Sequence, residues 1–242
     1  MRADSHVIRE VDGSVLVIRI ANPSRKNALN IEAYRCLSAC IDYAEGNENI
    51  TSVLITGGDQ YFCSGHDLED FSLNPIEDDH HPVFQFMLRL SRFSKPVIAA
   101  VEGFAVGIGA TLLLHCDLVY AGESSFFQMP FTRLGLCPEF AATFVIPQCA
   151  GHRFAAEMLM LGKRCSADRF REAGFINQLT ADGKAFDSAM AAALEIAQMN
   201  PQPVTATKSL LKKRFSEAAH DSMRDELDCL VGLLKARNEQ LG

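Results

Sequence analysis

Two strand-like runs rich in Val and Ile, residues 7–11 and 15–20, flank an Asp12-Gly13 pair. This pattern predicts a β-hairpin, because Asp-Gly supplies the positive φ that a tight turn requires. A polar loop follows at residues 22–30. Tyr34, Leu37, Ile41 and Ala44 then recur at helical spacing and predict an amphipathic helix over 31–44, ahead of a buried-type strand at 53–56. Residues 71–81 are acidic, carry Pro75 and read as a mobile loop. Beyond them the pattern predicts a helix at 83–93, a strand at 97–101, a glycine-rich turn, a helix at 109–115 and a strand at 118–121. This alternation points to an α/β domain with parallel pairing, each helix serving as a crossover. From about Asp182 the strands cease, and residues 183–199, 203–215 and 216–237 all read as helices. The chain therefore divides softly near residue 195, into a core of residues 1–195 and a helical region of residues 196–242. Such a tail packs on its own core or on another subunit.

Composition narrows the class without naming a function. Of 242 residues, 48% are hydrophobic and 22% charged, which excludes disordered, collagen-like and coiled-coil chains. Lys and Arg number 23 against 30 Asp and Glu, so the net charge of −7 favours neither nucleic acid nor an anionic membrane. The longest uncharged stretch, residues 103–116, is broken by glycines and is shorter than the roughly 18 apolar residues of a spanning helix. Asp4 precedes strand-like sequence with no secretory apolar region between, and the C-terminal Leu241-Gly242 is not a peroxisomal address. A cytoplasmic location is the expectation. The eight cysteines form no Cys-x-x-Cys and sit beside no His at zinc spacing, so they read as small buried hydrophobes and no metal is expected.

Candidate chemistry lies in two glycine-bearing turns after predicted strands. The first is Phe62-Cys63-Ser64-Gly65-His66-Asp67-Leu68; the second is Gly103-Phe104-Ala105-Val106-Gly107-Ile108-Gly109. Glycine lets the backbone turn sharply and lets a ligand approach peptide N–H groups. Each turn is either an N–H donor to an oxyanion or a bare strand-to-helix connection. Gly107-Ile108-Gly109 starts like a dinucleotide fingerprint, but Leu112 stands where the third glycine or alanine belongs. No phosphate-binding Gly-x-x-x-x-Gly-Lys occurs, and Ser64 lacks the nucleophile elbow. The acidic Glu77-Asp78-Asp79-His80-His81 run reads as a solvated loop. Glu139 stands at a predicted helix start among apolar neighbours. It is either a glutamate favouring the first helical turn or a general base whose pKa an apolar pocket would raise.

Four ordered segments carry a resemblance that runs nearly end to end: Asn22-Pro23-Ser24-Arg25-Lys26-Asn27-Ala28-Leu29, the first glycine turn, Lys95-Pro96-Val97-Ile98-Ala99-Ala100-Val101-Glu102-Gly103, and Cys116-Asp117-Leu118-Val119-Tyr120-Ala121. On these the chain resembles the crotonase (enoyl-CoA hydratase/isomerase) superfamily. The resemblance implies a crotonase-like α/β spiral of strand–strand–helix repeats and a C-terminal helical region that builds trimers or dimers of trimers. It also implies an acyl-CoA thioester as substrate, with no cofactor beyond the coenzyme A that the substrate carries. The backbone N–H groups of His66 and Ile108 would form an oxyanion hole for the thioester oxygen. Lys26, Ala28 and Leu29 would contact CoA and its adenine, with Ser64, Gly65, Asp67, Leu68 and Gly107 completing the substrate-binding strip.

The departures from the family point to the reaction. Hydratases carry two glutamates where this chain has Thr111 and Phe131. Water activation and proton delivery need two acid/base groups, so hydration should be poor. The run Pro130-Phe131-Thr132-Arg133-Leu134-Gly135-Leu136-Cys137-Pro138-Glu139 instead resembles the peroxisomal-type Δ3,Δ2-enoyl-CoA isomerase branch, whose base matches Glu139. The implied activity is conversion of 3-enoyl-CoA to trans-2-enoyl-CoA in fatty-acid β-oxidation. Phe140 stands where that branch has glycine, which bears on pocket shape and chain length. The alternatives are another thioester reaction of the fold, such as hydration, hydrolysis, decarboxylation or dehalogenation, or a non-catalytic acyl-CoA-binding protein. Residues 208–214, rich in lysine, are a candidate contact for the CoA phosphates or else a solvated basic face.

Overall fold

A computed structural model describes residues 6–241. Residues 1–5 and Gly242, on which the readings of the termini rest, lie outside the described residues. The hairpin forms as its pattern predicts: β1 (Val7–Asp12) and β2 (Val15–Ile20) pair antiparallel around Gly13 at φ 58°. After the loop, α1 (Ile31–Gly46) starts where the Asn30 side chain accepts from the Ala33 amide. β3 (Ser52–Thr56) joins β2 in parallel.

Here the structure departs from the expected loop. α2 (Leu68–Leu73) takes in Phe71, because Asp67 caps it through the amides of Glu69 and Asp70. Ile76 is buried and the His81 side chain accepts from the Val83 amide, so the stretch is anchored at its middle and end. α3 (Pro82–Arg92) and β4 (Val97–Val101) follow. The glycine-rich turn contains a short strand, β5 (Phe104–Val106), too brief to leave a periodic signal. α4 (Ile108–Thr111) continues into a tightened 3₁₀ turn over Leu112–His115, then β6 (Leu118–Gly122) and β7 (Phe126–Gln128).

α5 (Ala142–Met160), interrupted at Gly151, is followed by β8 (Cys165–Ser166), α6 (Ala167–Glu172) and β9 (Gln178–Thr180). α7 (Ala185–Ala197), α8 (Pro201–Lys213) and α9 (Ser216–Leu241) complete the described chain. The strands build a six-stranded sheet of order β1-β2-β3-β4-β6-β9, parallel except for the first pair, and a second sheet of order β5-β7-β8.

Burial on both faces of the sheet explains why β2, β3 and β4 are apolar except at Arg19, Ser52 and Thr56. Leu16, Ile18, Val53, Ile55, Val97 and Ala99 face the main core, while Val17, Leu54, Ile98 and Ala100 face the other layer. That second layer is α7, whose Ala185, Ala189 and Ala193 recur every four residues and let the helix lie close to the sheet. α9 packs Ala219, Met223, Leu227 and Leu230 into the main core against α5 and α3. All eight cysteines are free thiols, and no helix among the described residues is long and apolar enough to cross a membrane.

Candidate active site

The two glycine turns meet. Cys63 and Ala105 form an isolated parallel bridge, with the Val106 amide donating to Cys63 O at 2.9 Å and the Cys63 amide to Phe104 O at 3.2 Å. Gly65 lies at φ 102°, and a Cβ there would stand 3.1 Å from Val106 O. Gly107 lies at φ 56°, 3.7 Å from Gly65 Cα at the point a Cβ would occupy. Glycine supplies the positive φ at both positions and, at Gly65, the tight approach to Val106 as well.

This contact leaves two backbone donors on adjoining turns. The bridge between Leu29 and His66 runs through the Leu29 amide to Gly65 O and the Asp67 amide to Leu29 O, both 2.9 Å. The amide of His66 itself takes no part in that ladder. Gly107 donates to Gln128 O, whereas Ile108 is the first residue of α4 and its amide has no carbonyl one turn earlier. These are the two amides named from the sequence as an oxyanion hole, and Ile108 is fully buried.

Glu139 is 5% exposed and stands three residues before α5, not at its start. Phe140 and Ala141 intervene in the left-handed region, at φ 62° and 57°. Two clamps hold that unusual turn. His115 stacks on the Phe140 ring at 4.0 Å between centroids, and its Nε2–H donates to Phe140 O at 2.7 Å. Glu226 of α9 accepts from the amides of Ala141 (2.7 Å) and Thr143 (2.9 Å) and from the Thr143 hydroxyl. Burial pushes the Glu226 carboxyl up, those donors oppose the shift, and the Glu139 charge adds to it.

The Glu139 carboxylate lies 3.0 Å through each oxygen from Nε2 of His66, and His66 Nδ1 lies 2.6 Å from the Tyr34 hydroxyl. The sequence assigned His66 a role through its backbone alone and Tyr34 a place on the core face of a helix. Their side chains meet at the candidate base. Beside Glu139 a small cleft, of about 10 Å³, is lined by Ile76, Phe84, Met87, Met223, Leu227 and Glu226. At the positions of the two hydratase glutamates, Thr111 is fully buried beside the Ile108 carbonyl and Phe131 is buried.

The strip that the resemblance assigns to substrate is stitched to the first turn. Asn27, at φ 59°, donates through Nδ2 to Gly57 O and Tyr61 O, and its Oδ1 accepts from the Asn22 amide, all at 2.8 Å. Ser64 Oγ donates to Arg25 O at 3.2 Å, and the Leu29 amide reaches Gly65 O. Lys26 and Leu68 are exposed at the surface of this strip, Ala28 and Leu29 are buried in it, and the Asp67 carboxylate is engaged with Arg25 and the α2 cap. Lys208 departs from the phosphate-contact reading. Its Nζ is buried against Asp117 Oδ2 at 2.7 Å and Lys95 O at 2.5 Å. Among the described residues no group of three or more His, Cys, Asp or Glu side chains could hold a metal.

Comparison with known proteins adds an independent line. Residues 10–240 match the family model described as enoyl-CoA hydratase/isomerase. The chain is 33% identical to 1,2-epoxyphenylacetyl-CoA isomerase of Escherichia coli K12, over 92% of this chain and 86% of that protein. It is 31% identical to human enoyl-CoA delta isomerase 2, over 93% of this chain but 59% of the longer human protein. It is 29% identical to the Escherichia coli K12 2,3-dehydroadipyl-CoA hydratase, over 93% of this chain and 89% of that protein. Among solved structures, Pseudomonas aeruginosa OdaA superposes with a TM-score of 0.93 at 39% identity, covering 95% of this chain and 93% of that one.

Proposed function

The chain belongs to the enoyl-CoA hydratase/isomerase family of acyl-CoA enzymes and has its crotonase-like fold, and from that premise we propose that it is a Δ3,Δ2-enoyl-CoA isomerase with Glu139 as its single base. The observation that carries this reading is the pairing of one carboxylate with two backbone donors where the hydratase carboxylates are replaced by Thr111 and Phe131. The buried carboxylate of Glu226 is occupied by three donors and is not the missing second acid.

The chemistry needs no more than these groups. A 3-enoyl thioester lies with its carbonyl oxygen between the amides of His66 and Ile108. Glu139 takes the C2 proton, and the electron pair left behind delocalises into a dienolate. The two N–H groups stabilise the oxygen charge as it develops; losing one such donor typically costs about 2.7–4 kcal/mol of barrier. Glu139, now a carboxylic acid, returns its proton to C4, which restores the carboxylate and leaves the 2-enoyl thioester. No electrons leave the substrate, so no redox cofactor enters. In this reading Lys26, Ala28 and Leu29 hold the CoA moiety, and Ser64, Gly65, Asp67, Leu68 and Gly107 shape the channel to the reacting carbons. A reducing cytoplasm suits the eight free thiols.

Leu210, Leu211 and Phe215 stand exposed at the end of α8 and just beyond it, Leu211 at 72%. A second copy of the chain is the natural cover for them, in a trimer or a dimer of trimers. Sedimentation at micromolar concentration should give a mass of three or six chains; a monomer counts against that assembly. The activity is tested by following trans-3-enoyl-CoA to its 2-enoyl product with wild type and Glu139→Gln, with hydration of a 2-enoyl-CoA assayed alongside. Fast isomerisation that falls by about three orders of magnitude in the variant, with negligible hydration, is expected. Turnover unaffected by Glu139→Gln would move the base elsewhere.

A further inference from the structure

Tyr34, His66 and Glu139 form one continuous hydrogen-bonded line running from α1 to the loop before α5. We infer that Tyr34 and the His66 imidazole are positioning residues that fix the hydrogen-bonding state of the Glu139 carboxylate, so that His66 serves the site through its backbone and its ring. The inference rests on Glu139 being the base, as argued above.

Tyr34 is the anchor. Its phenol is fully buried, tilted against the His66 and Phe86 rings at 5.5 and 5.9 Å between centroids. Burial first, then the charges of Glu139 and Asp70, push its pKa well above 10, so the hydroxyl keeps its proton at any working pH. The Glu139 carboxylate that serves as base offers only acceptors, so the Nε2 facing it carries a proton and leaves Nδ1 of a neutral ring to accept the Tyr34 O–H at 2.6 Å. Nε2–H lies equidistant from both carboxylate oxygens at 3.0 Å. The opposite tautomer would set a lone pair of Nε2 against the carboxylate, with the phenol oxygen accepting from Nδ1–H.

The ring has little freedom to leave this arrangement. Phe71 of α2 stands 5.4 Å from it between centroids. The titratable groups facing the line are Asp70 from α2, Cys63 from the first glycine turn, His81 from the start of α3 and Glu226 from α9. A hydrogen bond donated to the ionised carboxylate favours the form that accepts the C2 proton. When one oxygen takes that proton, Nε2–H remains on the other. The acidic proton then stays on the oxygen facing the substrate, ready for C4.

The test uses full-length wild type, Tyr34→Phe and His66→Gln. Nitrogen-15 spectra of the histidine imidazoles should give, for the His66 signals assigned by their loss in His66→Gln, an unprotonated Nδ1 and a protonated Nε2. In Tyr34→Phe, which keeps the ring packing, those shifts should move toward a tautomer mixture. For 3-enoyl-CoA isomerisation, Tyr34→Phe should lower kcat roughly 10- to 100-fold with KM within about two-fold. The acid limb of its kcat profile should move to higher pH, since Glu139 loses a donor to its charged form. A purely structural tyrosine would lower the melting temperature and leave that limb where it is, which overturns the inference. So would an Nδ1–H tautomer in wild type, or His66 shifts indifferent to Tyr34→Phe. Exchange of the C2 proton with deuterium oxide separates the two readings. Wild type that exchanges without forming product fails as an isomerase, while the effect of Tyr34→Phe on exchange still decides the role of the pair. Wild type that neither exchanges nor isomerises overturns both.

Discussion

The amide of Ala141 donates a 2.7 Å hydrogen bond to Oε2 of Glu226, joining the loop that carries Glu139 to a helix 85 residues further along the chain. Ala141 sits in the left-handed region, where an L-residue is strained, and Phe140 beside it does the same. That strain persists because Glu226 also holds the Thr143 amide and hydroxyl, fixing both sides of the turn.

Removing that carboxylate should therefore cost stability and catalysis together. Glu226→Ala leaves the buried Ala141 amide and the partly buried Thr143 amide without their acceptor and should lower the unfolding free energy by roughly 1.5–3 kcal/mol. Glu226→Gln keeps one acceptor oxygen and should lose less. Urea titrations with matched slopes measure the first effect. Turnover per folded molecule measures the second, and it should fall because Glu139 is no longer held at the cleft. Wild-type stability in Glu226→Ala would mean that the turn is fixed without α9.

His115 makes the same region sensitive to acid. Burial holds its pKa down to about 3 while it donates to Phe140 O. In the unfolded chain a histidine titrates near about 6.5. Between those values the unfolded state binds a proton that the folded state refuses, so stability rises with pH across this window and is lost as pH falls from about 6.5 toward about 3. The slope from this one group approaches about 1.4 kcal/mol per pH unit. The stability of His115→Gln should accordingly fall less steeply below pH 6.5 than that of wild type. Parallel curves would show that His115 is protonated in the fold.

Much of this site was legible because it is local in sequence. Gly65 and Gly107 announce turns, and the Leu-Gly-Leu-Cys-Pro-Glu run brings Glu139 to notice. The side-chain environment was not legible because it is assembled from afar. Tyr34 reaches His66 across 32 residues, His66 reaches Glu139 across 73, and Glu226 reaches Ala141 across 85. In the one-dimensional pattern Tyr34 is an apolar position on an amphipathic helix, and only its hydroxyl hints at a polar partner. Asn27 lay within a quoted motif, yet its role of tying three carbonyls and an amide appears only when residues 57–62 fold beside it. β5 and β8 were missed for a simpler reason: two or three residues cannot display a period.

Lys208 tests how far charge patterning alone can mislead. It belongs to a run that reads as a basic face, but it is 6% exposed, ion-paired with Asp117 and 5.4 Å from the centre of the Phe93 ring. Asp117 Oδ2 also accepts from the Val97 amide at 2.7 Å, so the pair ties α8 to the first residue of β4. Burial lowers the Lys208 pKa to about 8, with Asp117 opposing the shift. Lys208→Ala takes the counter-ion from Asp117, which is a quarter exposed and keeps its Val97 hydrogen bond, and should destabilise the protein by roughly 1.5–3 kcal/mol, the range for a hydrogen bond to a charged group. Its KM for an acyl-CoA at low salt should stay within about two-fold, since an ammonium buried against Asp117 and Lys95 O presents almost no surface to a phosphate. Thermal melts and initial rates on the same preparation separate the two effects. A ten-fold rise in KM with an unchanged melting temperature would return Lys208 to the coenzyme and take it from the fold.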